Sequence, residues 1–243
     1  MKIRLLAVLG LSLLTLASPL TAEVYPSNPE SRKVVLEGTR NTRELGGLPV
    51  RGGTFAKGKV YRSGALCFAT PADAAKLRKL GIKTIIELRL DGEIAKDGPD
   101  KAYLTKGVPN LRHWPMAGSR GPGLPAYESY MEENGPLFRD FFTVLSREGS
   151  YPVLFHCSAG KDRTGILAAL LLDLLGTPRE IIYDDYLHSM RITPKLKVDK
   201  TWMDAVFKAV DAEGGTEPFL RARGVTAEQI AAVRRILGAK APG

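Results

Sequence analysis

Apolar positions follow different rhythms along the chain. Lys2 and Arg4 precede a mainly apolar run over residues 5–16, and small residues then lead to Thr21-Ala22. That order predicts a secretory signal over residues 1–22; the competing assignment, a membrane anchor, would need about 20 apolar residues. Residues 23–35 are polar, with Pro26 and Pro29, and predict a flexible arm. Over residues 36–66, short β-prone runs alternate with Gly38, Gly46, Gly47, Gly52 and Gly53, the pattern of strands joined by tight turns. Thr70-Pro71 followed by Ala74, Leu77, Leu80 and Gly81 predicts a capped helix, and residues 82–88 a core strand.

Another strand is expected over residues 110–116, then a surface loop over 118–125, where glycines and prolines crowd together. Residues 126–147 have helical spacing with an interruption at Gly135-Pro136. From Tyr151 an apolar strand runs to Cys157, a short loop follows, and a helix opens at Thr164 that is apolar on nearly every face over residues 166–175. Thr177-Pro178-Arg179-Glu180 and Thr226-Ala227-Glu228-Gln229 read as capping boxes. Trp202, Ala205, Val206 and Ala209 form a stripe that predicts a packed helix face. Strands mixed with helices in this order predict an α/β fold: one domain over residues 36–240 with a single central mixed sheet flanked by helices. Ligands of such sheets bind at the carboxyl ends of strands, which is where Cys157 falls.

The 243-residue chain carries 35 Lys and Arg against 26 Asp and Glu, a net charge of +9 that favours anionic partners. The basic residues are scattered and not clustered with aromatics, which argues against nucleic acid. A phosphorylated substrate accounts for the excess, and so does simple solubility. Two cysteines, Cys67 and Cys157, are too few for a disulfide framework. They could pair in an oxidising compartment; packing Cys67 inertly in the apolar stretch 65–68 is the preferred reading. The three histidines and two cysteines have no metal-ligand spacing, so neither metal nor other cofactor is expected. Nothing in the chain sets an oligomeric state.

The loop from Cys157 to Arg163 is short enough to curl, turning backbone N–H groups of Ser158, Ala159, Gly160 and Lys161 inward beside a helix N-terminus. A phosphate-sized dianion fits such a cradle. The same field favours a thiolate at Cys157, and the planar fork of Arg163 can hold two phosphate oxygens at once. Cys157 to Arg163 resembles the Cys-x5-Arg signature of the cysteine-based protein tyrosine phosphatases. The fuller string from His156 to Gly165 is similar to the bacterial secreted branch with tyrosine and phosphoinositide phosphatase activity. Asn41-Thr42-Arg43-Glu44-Leu45-Gly46-Gly47, Tyr61-Arg62-Ser63-Gly64-Ala65-Leu66, Thr84-Ile85-Ile86-Glu87-Leu88-Arg89 and Asp185-Tyr186-Leu187-His188-Ser189 resemble its other blocks in the same order, covering residues 36 to 192. The family more often has aspartate where Glu44 and Glu87 stand.

The resemblance implies a tyrosine-phosphatase-like fold and a phosphatase that forms a phosphocysteine on Cys157, with Arg163 and the loop N–H groups holding the phosphoryl oxygens. No aspartate follows Trp114-Pro115, the place where many relatives keep their general acid. Asp162 is then the expected acid, with the alternative that it accepts backbone N–H bonds and stiffens the loop. Glu87, Glu128 and Glu132 are weaker candidates. His156 either orients the thiolate or fills space at the strand end, Thr164 supports the loop, and Lys161 is a second rim cation or a solvated lysine. The expected substrate is a phosphorylated protein or lipid: phosphotyrosine first, then phosphoserine, phosphothreonine and phosphoinositides. An inositol polyphosphate phosphatase and a phospho-ligand binding module are the alternatives. The processed protein is expected in the periplasm or medium, without a transmembrane anchor.

Overall fold

A computed structural model describes residues 29–241, so the expected signal over residues 1–22 lies outside them. From the N-terminus, β1 (Arg43–Glu44) leads into a hairpin of β2 (Pro49–Val50) and β3 (Gly53–Thr54), then β4 (Val60–Ser63) and helix α1 (Pro71–Lys79). β5 (Thr84–Glu87), two short helices α2 (Asp91–Asp97) and α3 (Ala102–Thr105), and β6 (Asn110–His113) follow. After α4 (Leu124–Glu133), α5 (Gly135–Leu145) and β7 (Val153–His156) the chain is helical: α6 (Asp162–Leu174), α7 (Arg179–Ile192), α8 (Lys200–Ala212), α9 (Thr216–Ala222) and α10 (Ala227–Leu237). No helix among the described residues is long and apolar enough to cross a membrane.

The main sheet has the order β1-β4-β7-β5-β6. β1 runs antiparallel to β4 and the other neighbours are parallel, so the sheet is mixed and β7 lies at its centre. Side chains alternate across it. Val60, Ile86, Val153 and Phe155 enter the larger core with α6, while Tyr61, Ile85 and Leu154 meet Ala74 and Leu77 of α1 and Leu104 of α3 in a smaller one. β4, β5 and β7 are buried at every residue, so none of them shows a solvent-facing polar alternation, whereas the edge strand β6 is mostly exposed. α6 is buried without a break from Thr164 to Leu172, as its all-round apolar sequence requires.

Several expectations need correction. α6 opens at Asp162 and not at Thr164, because the turn at Gly160 completes the loop early and leaves Asp162 and Arg163 in the first helical turn. The strands expected over residues 82–88 and 110–116 are shorter, although Trp114 N–H still donates to the Glu87 carbonyl at 2.9 Å. Thr177 caps nothing. Its hydroxyl donates to the Pro49 carbonyl at 2.8 Å, and α7 starts after Pro178. The capping boxes at Thr70 and Thr226 are present, and the break between α4 and α5 falls at Asn134, next to the expected Gly135-Pro136. The flexible arm expected over residues 23–35 is anchored at its C-terminal end, where Arg32 is buried against Asp185 and Lys33 forms an antiparallel β-bridge with Arg43.

Candidate active site

β7 delivers Cys157 at its carboxyl end, and the loop to α6 curls there. Gly160 makes the turn with φ +66°, and a Cβ at that position would lie 2.5 Å from the Ser63 carbonyl, so only glycine fits. Three carbonyls of the loop are held outward. Ala65 N–H donates to Ser158 O at 3.2 Å, Asn41 Nδ2 to Ala159 O at 3.2 Å and to Gly160 O at 2.8 Å, and Arg62 Nη2 to Gly160 O at 2.9 Å. In a trans peptide the N–H points opposite to the C=O, so the N–H groups of Ala159, Gly160 and Lys161 face the inside of the curl. The curl thus has the backbone geometry that an anion cradle requires.

The brace behind it is electrostatic. Arg32, Arg43 and Arg62 converge on the buried Asp185 at 2.9, 3.0 and 2.7 Å. Burial would raise the Asp185 carboxyl, but the three guanidiniums hold it well below the usual carboxylate range. Asn41 joins brace to loop, accepting from Arg43 Nη1 at 2.5 Å while donating to the loop carbonyls.

Cys157 is 2 % exposed. Burial alone would push its thiol up; the Arg163 guanidinium, with the Thr164 hydroxyl and N–H, outweighs burial and draws it down. The buried Thr164 hydroxyl has no other partner among the described residues. Arg163 donates from Nη1 to Glu93 Oε2 at 2.5 Å and to the Leu88 carbonyl at 3.2 Å, and from Nη2 to Glu93 Oε1 at 2.7 Å. Three of its five protons are thus committed. The remaining two, on Nε and Nη2, lie along the lateral edge, a geometry able to take an oxyanion bidentately. Glu93 Oε1 also accepts from Ser158 Oγ at 2.5 Å, so one carboxylate fixes both the arginine and the loop. Burial opposes its charge, yet the Arg163 and Ser158 hydrogen bonds hold the Glu93 carboxyl down at about 2.

Asp162 accepts from Tyr127 Oη at 2.7 Å through Oδ1, and its Oδ2 lies 3.4 Å from Lys161 Nζ. Lys161 does not reach out as a rim cation. Its ammonium donates to the Lys197 carbonyl at 2.8 Å and sits 5.3 Å from the Trp202 ring centroid. His156 neither bonds the thiolate nor merely fills space. Its ring, fully buried, pairs with Asp100 at 2.9 Å. Burial would lower this imidazole, but Asp100 and Glu87 raise it. Glu87, Asp100 and His156 bring ligand atoms within 4.8 Å of one another, and the Arg89 guanidinium supplies the cation there, 2.7 Å from Glu87 and 3.2 Å from Asp100. That engagement takes Glu87 out of contention as the acid, and Glu128 and Glu132 are turned to Arg120 on the surface. Cys67 is a free, buried thiol against Arg89, raised by burial.

Sequence reasoning missed Glu93, Tyr127 and Asp100. Glu93 lies in the polar stretch 91–97, where no apolar periodicity marks α2, and Tyr127 lies in the helical pattern of residues 126–147, where nothing sets it apart from its packed neighbours. The spatial partners of Arg43, Arg62 and Asp185 sit in separate blocks, whose order along the chain was the only signal.

A model described as the tyrosine phosphatase family matches residues 34–239. A protein of Cupriavidus necator named as a tyrosine-protein phosphatase is 32% identical, with 74% of this chain and 80% of the relative covered. The triple specificity protein phosphatase PtpB of Mycobacterium tuberculosis is 29% identical with the same coverage, 74% and 80%. Among solved structures, P. aeruginosa TpbA in complex with pTyr is similar at 17% identity and a TM-score of 0.44, covering 72% of this chain and 91% of its own.

Proposed function

Because this chain belongs to the tyrosine phosphatase family, and is a hydrolase of that type, we propose that its substrate is phosphotyrosine in protein, cleaved through a phosphocysteine on Cys157. The observation that carries this reading is the juxtaposition of a depressed Cys157 thiol with inward N–H groups and the open lateral edge of Arg163. The thiolate sulfur attacks phosphorus as the bond to the tyrosyl oxygen breaks, and Asp162 gives its proton to that oxygen. Water, deprotonated by the same carboxylate, then splits the S–P bond and releases inorganic phosphate. Arg163 and the loop N–H groups stabilise the three equatorial oxygens throughout.

Phosphoserine, phosphothreonine and phosphoinositides are proposed as further substrates, in line with the triple specificity in the name of the mycobacterial relative. Lys161 argues for modest activity on highly phosphorylated inositols, since its ammonium is already engaged by Lys197, Asp162 and Trp202. Export to the periplasm or medium is proposed from residues 1–22. Turnover of a phosphotyrosine peptide, a phosphoserine peptide, a phosphoinositide and inositol hexakisphosphate tests the assignment. The reading expects the phosphotyrosine peptide to lead by kcat/KM, and a lead by inositol hexakisphosphate would overturn it.

A further inference from the structure

Two tyrosine hydroxyls lie buried beside the catalytic loop, one against the other and one against Asp162. Tyr127 of α4 and Tyr186 of α7 are each 1% exposed, and their hydroxyl oxygens are 2.8 Å apart. Tyr127 Oη is 2.7 Å from Asp162 Oδ1. A phenol carries one proton. If Tyr127 donates its proton to the carboxylate, Tyr186 must donate to Tyr127, and the pair becomes a directed chain of donors ending on Asp162. Burial pushes the Tyr127 hydroxyl well up, aided by Asp162 and Tyr186, so it stays protonated and remains a donor.

The rings are fixed from several sides. Tyr127 packs edge-on against Tyr186 at 6.3 Å and at a tilt against Trp202 at 6.0 Å. Tyr186 lies against α6 where Gly165 has no side chain; a Cβ there would be 3.2 Å from the ring. Phenylalanine would fill both ring positions. A hydroxyl is costly in such a place unless it is hydrogen-bonded, and the only partners shown for the Tyr127 hydroxyl are Asp162 and Tyr186.

We propose that Tyr127, backed by Tyr186, is a positioning residue for the proton donor of the reaction: it clamps Oδ1 of Asp162, so that Oδ2, 3.4 Å from Lys161 Nζ, is the oxygen that carries the proton to the leaving oxygen. The inference rests on the reading of Asp162 as general acid. The structure favours that reading over loop stiffening, because the hydrogen bond shown for the carboxylate comes from the Tyr127 side chain and not from loop N–H groups.

The experiment is a double-mutant cycle of Tyr127→Phe and Asp162→Asn, assayed on a phosphotyrosine peptide and on an activated aryl phosphate whose phenolate leaves unaided. Tyr127→Phe is expected to lower kcat on the peptide by about 10- to 100-fold, a part of the ~10²–10⁴ that a general acid supplies, and to slow the activated ester by less than about threefold. In the Asp162→Asn background it should have no further effect on the peptide. Tyr186→Phe should act in the same direction with a smaller loss. The rate of Cys157 alkylation reports whether each variant keeps an intact loop, and it should match the unsubstituted protein in both tyrosine variants. Equal slowing of both substrates by Tyr127→Phe, or a peptide effect that persists beside Asp162→Asn, would overturn the positioning role. If Asp162→Asn itself slows both substrates equally, the general-acid reading fails first, and the inference falls with it.

Discussion

At Cys157 two opposed effects meet, burial that raises the thiol and a local field that lowers it, and the field prevails. The alkylation rate of Cys157 should therefore have its pH midpoint below the ~8.5 of a free cysteine. Because the Thr164 hydroxyl contributes to the lowering, Thr164→Val should move that midpoint upward. Cys157→Ser should abolish turnover yet still bind a phosphotyrosine peptide, since the cradle survives and serine is not ionised at neutral pH. Arg163→Lys keeps the charge but loses the fork, and kcat on the peptide should fall by about 10² to 10³. Glu93→Gln weakens the hold on two Arg163 nitrogens and on Ser158, which should cost about tenfold in kcat/KM. Cys157, Arg163 and the cradle were legible because their chemistry lies in consecutive residues. Glu93 was not, because its partners Ser158 and Arg163 are 65 and 70 positions away.

Between β4, α7 and the loop, the arginine brace converts sequence blocks into loop geometry. Removing the Asp185 charge leaves three buried guanidiniums facing one another, so Asp185→Asn should destabilise the fold by about 3–5 kcal/mol in denaturant unfolding. The pH dependence has a definite sign. The Asp185 carboxyl is depressed, so its contribution is present above the unfolded value of about 3.9 and is lost as pH falls below it. His188 is depressed to about 4 by burial, with Arg43 adding to it. The unfolded chain protonates this histidine near pH 6.5 while the folded one resists, so stability should already decline as pH falls from about 6.5 to 4. Thermal melts of His188→Gln should show a flatter slope across that window. At this scale capping signals and apolar patterning located α1, α6 and α10 but not α2, which has no buried residue to reveal it. The start of α6 was misplaced because a charged Lys161-Asp162-Arg163 run reads as loop until the Gly160 turn is seen.

For the whole molecule, the α/β class followed from the alternation of strands and helices, whereas the order β1-β4-β7-β5-β6 did not, since local pattern carries no information on which parallel strands pair. The separation of the two cores by strand alternation was equally hidden, because strands covered on both faces show no polar face. Export belongs to this scale too: protein recovered from the cell envelope or medium should lack residues 1–22 by intact mass, and full-length chain in the cytoplasm would refute the signal reading. The central claim is covalent catalysis on Cys157. Its most direct test is intact mass and peptide mapping of enzyme quenched in acid during turnover of a phosphotyrosine peptide, using Asp162→Asn to slow hydrolysis of the intermediate. The account predicts one phosphate carried on the Cys157 peptide and none in the Cys157→Ser protein, which should also be inactive. Phosphate on another residue, or sustained turnover by Cys157→Ser, would contradict it.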